Sequence, residues 1–466
     1  MKILSSNLSE ISAHKYLRCD YKYWNKTRKV NFTQYLLLKD VFTIIKGTVQ
    51  TEHYSLDKTA VPYIRISDIE LKFGIDLSDT VYLDEDAAIP EEKILKKDDL
   101  ILAVIGSVGK MALAEYVQGG THSNNTVVLR AKNSDINMKF YEKLFQSNYY
   151  NSYLLGVVSQ KAQPNLQLYD LKNIKLPIID NSLILSTVAR ISPIEKQISD
   201  LKANIKDIQG IVDEVLQNEF HFDYAKFYQL KEIKNFSYSL SAFSLNPDLR
   251  FSAKFHRPAG DFVMQELLKV TSKKFKHFLS EPIVLGASVS PSDYDDNGDC
   301  YYLSMATIKN WAFEKESAQT VSNAYFEANR EKNIKQWDIL LARAGEGTIG
   351  KVALIESEDM QAVFADFTMR IRLKDYNPKF AYYYMRSAYF QYLVEIYKKG
   401  LGNNTNIFPI VVREFPLIDI PIVEQQRIVD EIQAEIDKQN EIKNHIATLR
   451  MEIDKIVESA ACLSEN

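Results

Sequence analysis

Along residues 192–220 the apolar positions Ile194, Ile198, Leu201, Ile205, Ile208, Val212 and Val215 advance in alternating steps of four and three. Such steps keep side chains on one helix stripe and predict the seam of a coiled coil. Ser192-Pro193-Ile194-Glu195 reads as its start, with a capping hydroxyl, a proline in the first turn and a glutamate three residues on. About 27 residues at about 1.5 Å each give a rod of about 40 Å. A seam of that length needs a partner helix. The end of the chain offers one, starting near Pro421 and carrying Ile428, Ile432, Ile436, Ile442, Ile446, Leu449, Ile453 and Ile456, with Gln439 and His445 on the stripe.

Between the rods the text is strand-like and occurs twice. In the first half the alternation from Tyr63 to Ile69 predicts a strand. A buried-strand run from Asp99 to Ile105 then meets Gly106-Ser107-Val108-Gly109-Lys110 and continues as Met111-Ala112-Leu113, a hairpin whose glycines sit where φ turns positive. A strand at 126–130, a helix at 138–146, a polar loop at 160–165 and a closing segment at 171–177 follow. The second half repeats the order: Arg250 answers Arg18 at 232 residues, Tyr301 answers Tyr63 at 238, and Gly350 answers Gly109 at 241. Thr368 answers Thr126 at 242, and Val412 answers Leu171 at 241. Five blocks in one order at near-constant spacing predict an internal duplication. The expected division is a first lobe at 1–180, a central helix at 181–222, a second lobe at 223–420 and a C-terminal helix at 421–466.

Composition adds little beyond exclusions. With 46% hydrophobic and 25% charged residues the chain is ordinary for a soluble protein. The net charge of -4 announces no basic surface, although a basic cleft can hide inside a neutral total. Cys19, Cys300 and Cys462 are far apart without metal-ligand spacing, which fits a reduced, cytoplasmic chain. No secretory pattern follows Met1, and no window of about 18 apolar residues predicts a membrane span.

Catalytic patterns fail one by one. Gly345 to Lys351 matches a P-loop by letter, but Val352 stands where a magnesium-binding hydroxyl belongs, strand-like text follows, and the first half has Val104 where the leading glycine would stand. Glu91-Glu92-Lys93 has nuclease spacing without a strand, so a solvated face is expected. The seven histidines show no paired ligand spacing. Asp293, Asp295, Asp296 and Asp299 lack a calcium loop's terminal glutamate and read as a surface turn. No Asn-Pro-Pro-aromatic run or glycine-rich S-adenosylmethionine loop is present. The chain is expected to hold no metal, use no cofactor and catalyse nothing.

Binding patterns are richer. Each Gly-x-x-Gly-Lys turn is a packed hairpin, but adjacent backbone N–H groups with Ser107 and Lys110, or Thr348 and Lys351, also form a small phosphate-gripping nest. Equivalent polar loops hold Gln160, Gln163 and Asn165 in one half and Asn403, Asn404 and Thr405 in the other. Amides suit adenine edges, and cations suit guanine or phosphate; either loop also reads as plain connecting chain. With Arg65, Ser67 and Arg343 these residues form the candidate DNA-contact set.

The lobe-helix-lobe-helix order, the paired glycine hairpins and the helix start Pro421-Ile422-Val423-Glu424-Gln425-Gln426-Arg427-Ile428-Val429 resemble the specificity subunit of type I restriction-modification systems over nearly the whole chain. The resemblance implies an α+β fold. Two tandem target-recognition domains of similar fold, with mixed and antiparallel sheets and helices, would be separated and followed by long helices packed as an antiparallel, pseudo-twofold coiled coil. It further implies that each domain reads half of an asymmetric, interrupted site in double-stranded DNA. The helices would dock two methyltransferase subunits, which methylate adenine N6 with S-adenosylmethionine, and restriction/translocase subunits would complete the assembly. One departure stands out: the counterpart of Pro421 reads as Pro177, Asp180 and Asn181 can still cap the central helix, and Ser192-Pro193 then predicts a break or kink in it. Rods of about 40 Å span about one DNA turn, roughly 34–36 Å, so the two half-sites would flank an unread gap of about five to eight base pairs. Two other readings are the specificity subunit of another methylation-based phage-defence system and a coiled-coil scaffold for protein partners.

Overall fold

The computed structural model describes residues 32, 34–49, 54–55, 60–70, 74–84, 87–115, 117–158, 164–241, 250, 252–309, 311–345, 347–358, 360–400 and 402–461. The Arg18 segment, Cys19, Gln160, Gln163 and Cys462 lie outside them. The described residues fall into two compact units, one within Met1–Asn204 and Ile442–Asn466, the other within Ile205–Glu441.

In the first unit an antiparallel sheet runs Phe42–Lys46, Thr126–Ala131, Leu100–Ala103, Met111–Leu113. Leu100–Ala103 is buried throughout, as its unbroken apolar run requires. A second sheet contains Val61–Ile64, paired in parallel with Thr121–His122 and antiparallel with Val81–Leu83. Helices Met138–Gln146 and Asn148–Val157 follow, capped by the side chains of Asn137 and Ser147. The strand expected from Tyr63 to Ile69 ends at Ile64, because the Asp68 carboxylate accepts the Arg65 N–H at 2.8 Å and folds Ile66–Asp68 into a 3-10 turn.

The second unit rebuilds this pattern. Its central sheet runs Val284–Leu285, Thr368–Ile371, Ile339–Ala342, Val352–Leu354. Cys300–Leu303 pairs in parallel with Ala362–Phe364, and helices Pro378–Arg386 and Ala388–Tyr397 are capped by Asn377 and Ser387. The copies agree bond by bond. Tyr63 Oη donates to Thr48 O at 2.8 Å, and Tyr302 Oη donates to Ala287 O at 2.8 Å. Buried Asp99 accepts from Arg130 Nε at 2.8 Å and Nη2 at 2.7 Å, while buried Asp338 accepts from Arg372 Nε and Nη2, both at 2.6 Å. Gly47 and Gly286 mark a shared close approach, where an added Cβ would stand 1.9 Å from Ser123 O and 2.0 Å from Phe364 O respectively. This is the expected α+β fold, one topology built twice.

The central helix keeps its expected start and differs in where it is interrupted. It begins at Asn181, where Asp180 accepts the Ser182 N–H at 2.8 Å, and runs to Ala203 straight through Pro193. Ser192 is no cap: its hydroxyl donates to Val188 O at 2.9 Å inside the helix. The interruption comes later. Asn204 Nδ2 closes the first helix on Asp200 O at 2.8 Å, and Asp207 caps a new one, Ile208–Phe220, through the Gly210 N–H at 2.6 Å. The apolar stripe extends upstream through buried Ile184, Thr187 and Ile191. The first helical bonds, Ile184 N to Asp180 O and Gln425 N to Pro421 O, are both 3.0 Å. They match Pro421 to Asp180 rather than to Pro177.

The C-terminal helix, Ile422–Ala460, has 39 residues and so a length of about 58 Å. Ile428, Ile432, Gln439, Ile446, Leu449, Ile453 and Ile456 are buried on it, whereas His445 is exposed and off the stripe. In the second unit Arg427 ion-pairs with Glu219, and Gln439 Oε1 accepts the Lys206 N–H at 3.0 Å. Those two pairings make the helices antiparallel there. In the first unit Ile198 and Lys202 of the central helix and Arg450 and Ile453 of the C-terminal helix line one cavity.

Asp99→Ala leaves the largely buried Arg130 guanidinium without its carboxylate. The expected cost to the first unit is about 3 kcal/mol, read as a lower urea midpoint at unchanged m-value.

Candidate nucleic-acid interface

The two glycine turns are built by the same backbone bonds. In the first unit Gly106 N donates to Pro164 O at 3.0 Å and Leu166 N to Val104 O at 2.8 Å. In the second, Gly345 N donates to Thr405 O at 3.2 Å and Ile407 N to Arg343 O at 2.9 Å. Gly106 therefore corresponds to Gly345, and Val104 to Arg343. The first copy lacks no leading glycine; the second turn is longer, reaching Gly350 where the first closes at Gly109. All four glycines have positive φ, from 80° to 93°. Each turn is braced from behind, by Asn151 Nδ2 on Gly109 O at 3.4 Å and by Gln391 Nε2 on Gly350 O at 2.9 Å. The strand Val352–Leu354 follows the second turn, so the helix a P-loop needs is not there.

These turns gather most of the described candidates. Lys110 and Lys351 close them and are half-buried, with no ion pair among the described residues. Ser107 is exposed at the first tip. Thr348 donates inward, to Ala344 O at 2.8 Å. Asn165 and Asn406 pair with the turns through backbone bridges to Ile105 and Ala344. Arg343 is held by Asp366 O at 2.8 Å and Asn406 Oδ1 at 3.0 Å. Asn403 and the exposed Asn404 lie on the short turn Gly402–Asn404, and buried Thr405 donates to Gly402 O at 3.1 Å.

Arg65 and Ser67 sit on the neighbouring 3-10 turn. Ile66 Cδ1 lies 3.9 Å from where a Cβ on Gly106 would be, and Met305 Sδ lies 3.5 Å from Thr348 Oγ1 in the second copy. Arg65 is spent locally, on Asp68 at 3.0 Å and Asp79 O at 2.6 Å. Exposed Ser67 donates to Asp68 Oδ1 at 3.0 Å.

Sequence reasoning missed the groove beside the first turn. Lys46, Asn124, Asn165, Gln167, Tyr169 and Lys172 line it. The polar triplet Ser123-Asn124-Asn125 between two strands was the available signal. Beneath it His122 is fully buried, 2.8 Å from Thr126 Oγ1, and burial pushes its pKa down to about 4.

The other titratable clusters serve local turns. Asp293 accepts the Ser290 N–H and Asp295 the Asn297 N–H, both at 2.9 Å. Glu91–Lys93 is one 3-10 turn whose two glutamates are exposed. Cys300 is a buried free thiol, pushed up to about 11 by burial. Among the described residues no cluster could hold a metal ion, and no helix is long and apolar enough to cross a membrane.

Neutral His122 supports the fold, so the first unit should carry its full contribution above pH 6.5 and lose it progressively toward about pH 4. His122→Gln should flatten that slope in urea titrations across the window.

The model of the type I restriction modification DNA specificity domain matches twice, at residues 33–200 and 283–449. Solved structures are similar over most of the chain at low identity. One, from work on the complex assembly and conformational transition of the type I R-M system, shares 14% identity at a TM-score of 0.47, covering 92% of this chain and 97% of that one. The type I restriction-modification S subunit from M. genitalium shares 13% at 0.39, covering 93% and 98%. The HsdS subunit from Thermoanaerobacter tengcongensis shares 14% at 0.36, covering 92% and 97%. No curated protein matches. Matched by its model over more than half of its length, the chain belongs to the type I restriction modification DNA specificity family and carries that family's domain twice.

Proposed function

We propose that the chain is the sequence-reading subunit of a type I restriction-modification assembly and performs no chemistry itself. Each lobe, taken as 1–180 and 223–420, reads one half of an asymmetric, interrupted site in double-stranded DNA. One observation carries the reading: a braced glycine turn, a closing lysine and a polar loop recur on one scaffold, while the loop sequences differ. A shared scaffold with different tips is what two readers of different targets require, since backbone grips position and base-edge contacts specify.

In this account Lys110 and Lys351, with the turn N–H groups, hold phosphates. Ser107, Asn165, Arg343, Asn403 and Asn404 supply groups at or near base edges, together with Gln160 and Gln163, while buried Thr405 holds its loop. Arg65 and Ser67 buttress the turn. The helices dock two methyltransferase subunits, which bring S-adenosylmethionine and the adenine chemistry, and restriction/translocase subunits join them. The chain then works in the cytoplasm, where the DNA is.

Methylome sequencing of cells expressing the chain with its methyltransferase should return two short half-sites around an unread gap of about five to eight base pairs, with the half-site centres roughly one helical turn apart. A continuous palindrome that depends on this chain would contradict the proposal. Lys110→Ala and Lys351→Ala should each weaken binding by the complex on all sequences alike and lower the salt slope by about one, with the motif unchanged. An untouched salt slope would remove the phosphate role.

A further inference from the structure

The duplication aligns the two copies position by position through their hydrogen bonds, and one surface turn emerges with opposite chemistry in each. Val104 N donates to Asn125 O at 3.0 Å, and Arg343 N donates to Phe367 O at 3.0 Å. Asn125 therefore corresponds to Phe367, and Asn124 to Asp366. The turn is equally rigid in both copies: Thr126 Oγ1 donates to Ser123 O, and Thr368 Oγ1 to Ala365 O, each at 2.7 Å. Its base is the close backbone approach at Gly47 and Gly286. The framework is thus common, and only the outward side chains differ.

The outward differences share a direction. The first copy shows amides, Asn124 and Asn125, with Gln167 across the groove. The second shows Phe367, 50% exposed, and Phe408, 41% exposed, at the positions of Asn125 and Gln167. Ile410, at the position of Tyr169, is 70% exposed. Large apolar groups left in water beside a held arginine mark a contact surface rather than a core. Arg343, fixed by Asp366 and Asn406 next to Phe367, places a cation at its edge.

Resting on the DNA-reading proposal above, we infer that this turn is a base-reading element, and that Phe367 in the second copy reads the C5-methyl group of a thymine while Asn124 and Asn125 in the first read adenine edges. Among the bases only thymine offers a methyl group in the major groove, and side-chain amides match adenine's adjacent donor and acceptor.

The test uses the complex of the chain with its methyltransferase and a duplex bearing the wild-type motif, each thymine replaced in turn by deoxyuridine, which lacks only the methyl. One thymine, in one half-site, should lose about fourfold in affinity when replaced, the worth of one buried methyl. That penalty should vanish in Phe367→Ala and persist in Phe367→Leu, which keeps an apolar contact at this half-exposed position. The other half-site should be read as before by both variants. The inference is overturned if no thymine is sensitive, or if the sensitivity survives in Phe367→Ala. It is overturned equally if Phe367→Ala keeps the motif but releases the methyltransferase, which would make the patch a protein-docking surface. Motif-independent methylation by the wild type would instead remove the DNA-reading proposal itself, and this inference with it.

Discussion

Two stretches of backbone in each copy lie too close for any side chain to stand between them. At Gly47 and Gly286 a Cβ would fall about 2 Å from a carbonyl oxygen of the facing strand end, far inside contact distance. That approach sews the central sheet to the second sheet and fixes where the 123–125 and 365–367 turns emerge. The glycine hairpins, the polar loops and the buried His122 are all placed relative to this seam. A wider gap would leave the surface residues present but unaligned.

The net charge of -4 looks unpromising for a DNA-binding chain, and the use of its cations explains how the two agree. Several arginines are structural. Arg130 and Arg372 fork onto buried carboxylates, and Arg370 is itself buried, paired with Glu281. Arg65 is bound into its own turn. Near the turns, a lysine closes each glycine turn, and Lys46 and Lys172 lie along the first groove.

The duplication and the hairpins were legible in the sequence because glycines with positive φ and unbroken apolar strands leave strong local marks. The start of the central helix at 181 was legible as well, but the place of its interruption was not. Ser192-Pro193 carries every local sign of a helix start, yet Asp180 caps the helix upstream and it continues past Pro193, although a proline there loses one bond and crowds the carbonyl four residues back. The true interruption at 204–207 has no proline or glycine; it depends on Gln439, a residue more than two hundred positions away. Registering Gly345 on Val104 likewise failed because the second turn is longer, and only the backbone bonds reveal that. Phe367 escaped notice because an aromatic beside a strand reads as core until its exposure is seen.

Gln439 has a mechanical meaning beyond tidying a helix end. Its side chain is buried, and its oxygen accepts the Lys206 N–H at 3.0 Å where the facing backbone is open between two helices. Sliding either helix by one turn, about 5.4 Å, would bury that oxygen against a closed helix and strand the N–H, at a cost of about 1–3 kcal/mol for each group. Leucine and isoleucine alone would tolerate several such offsets. The amide acts as a detent that holds the two helices in one register.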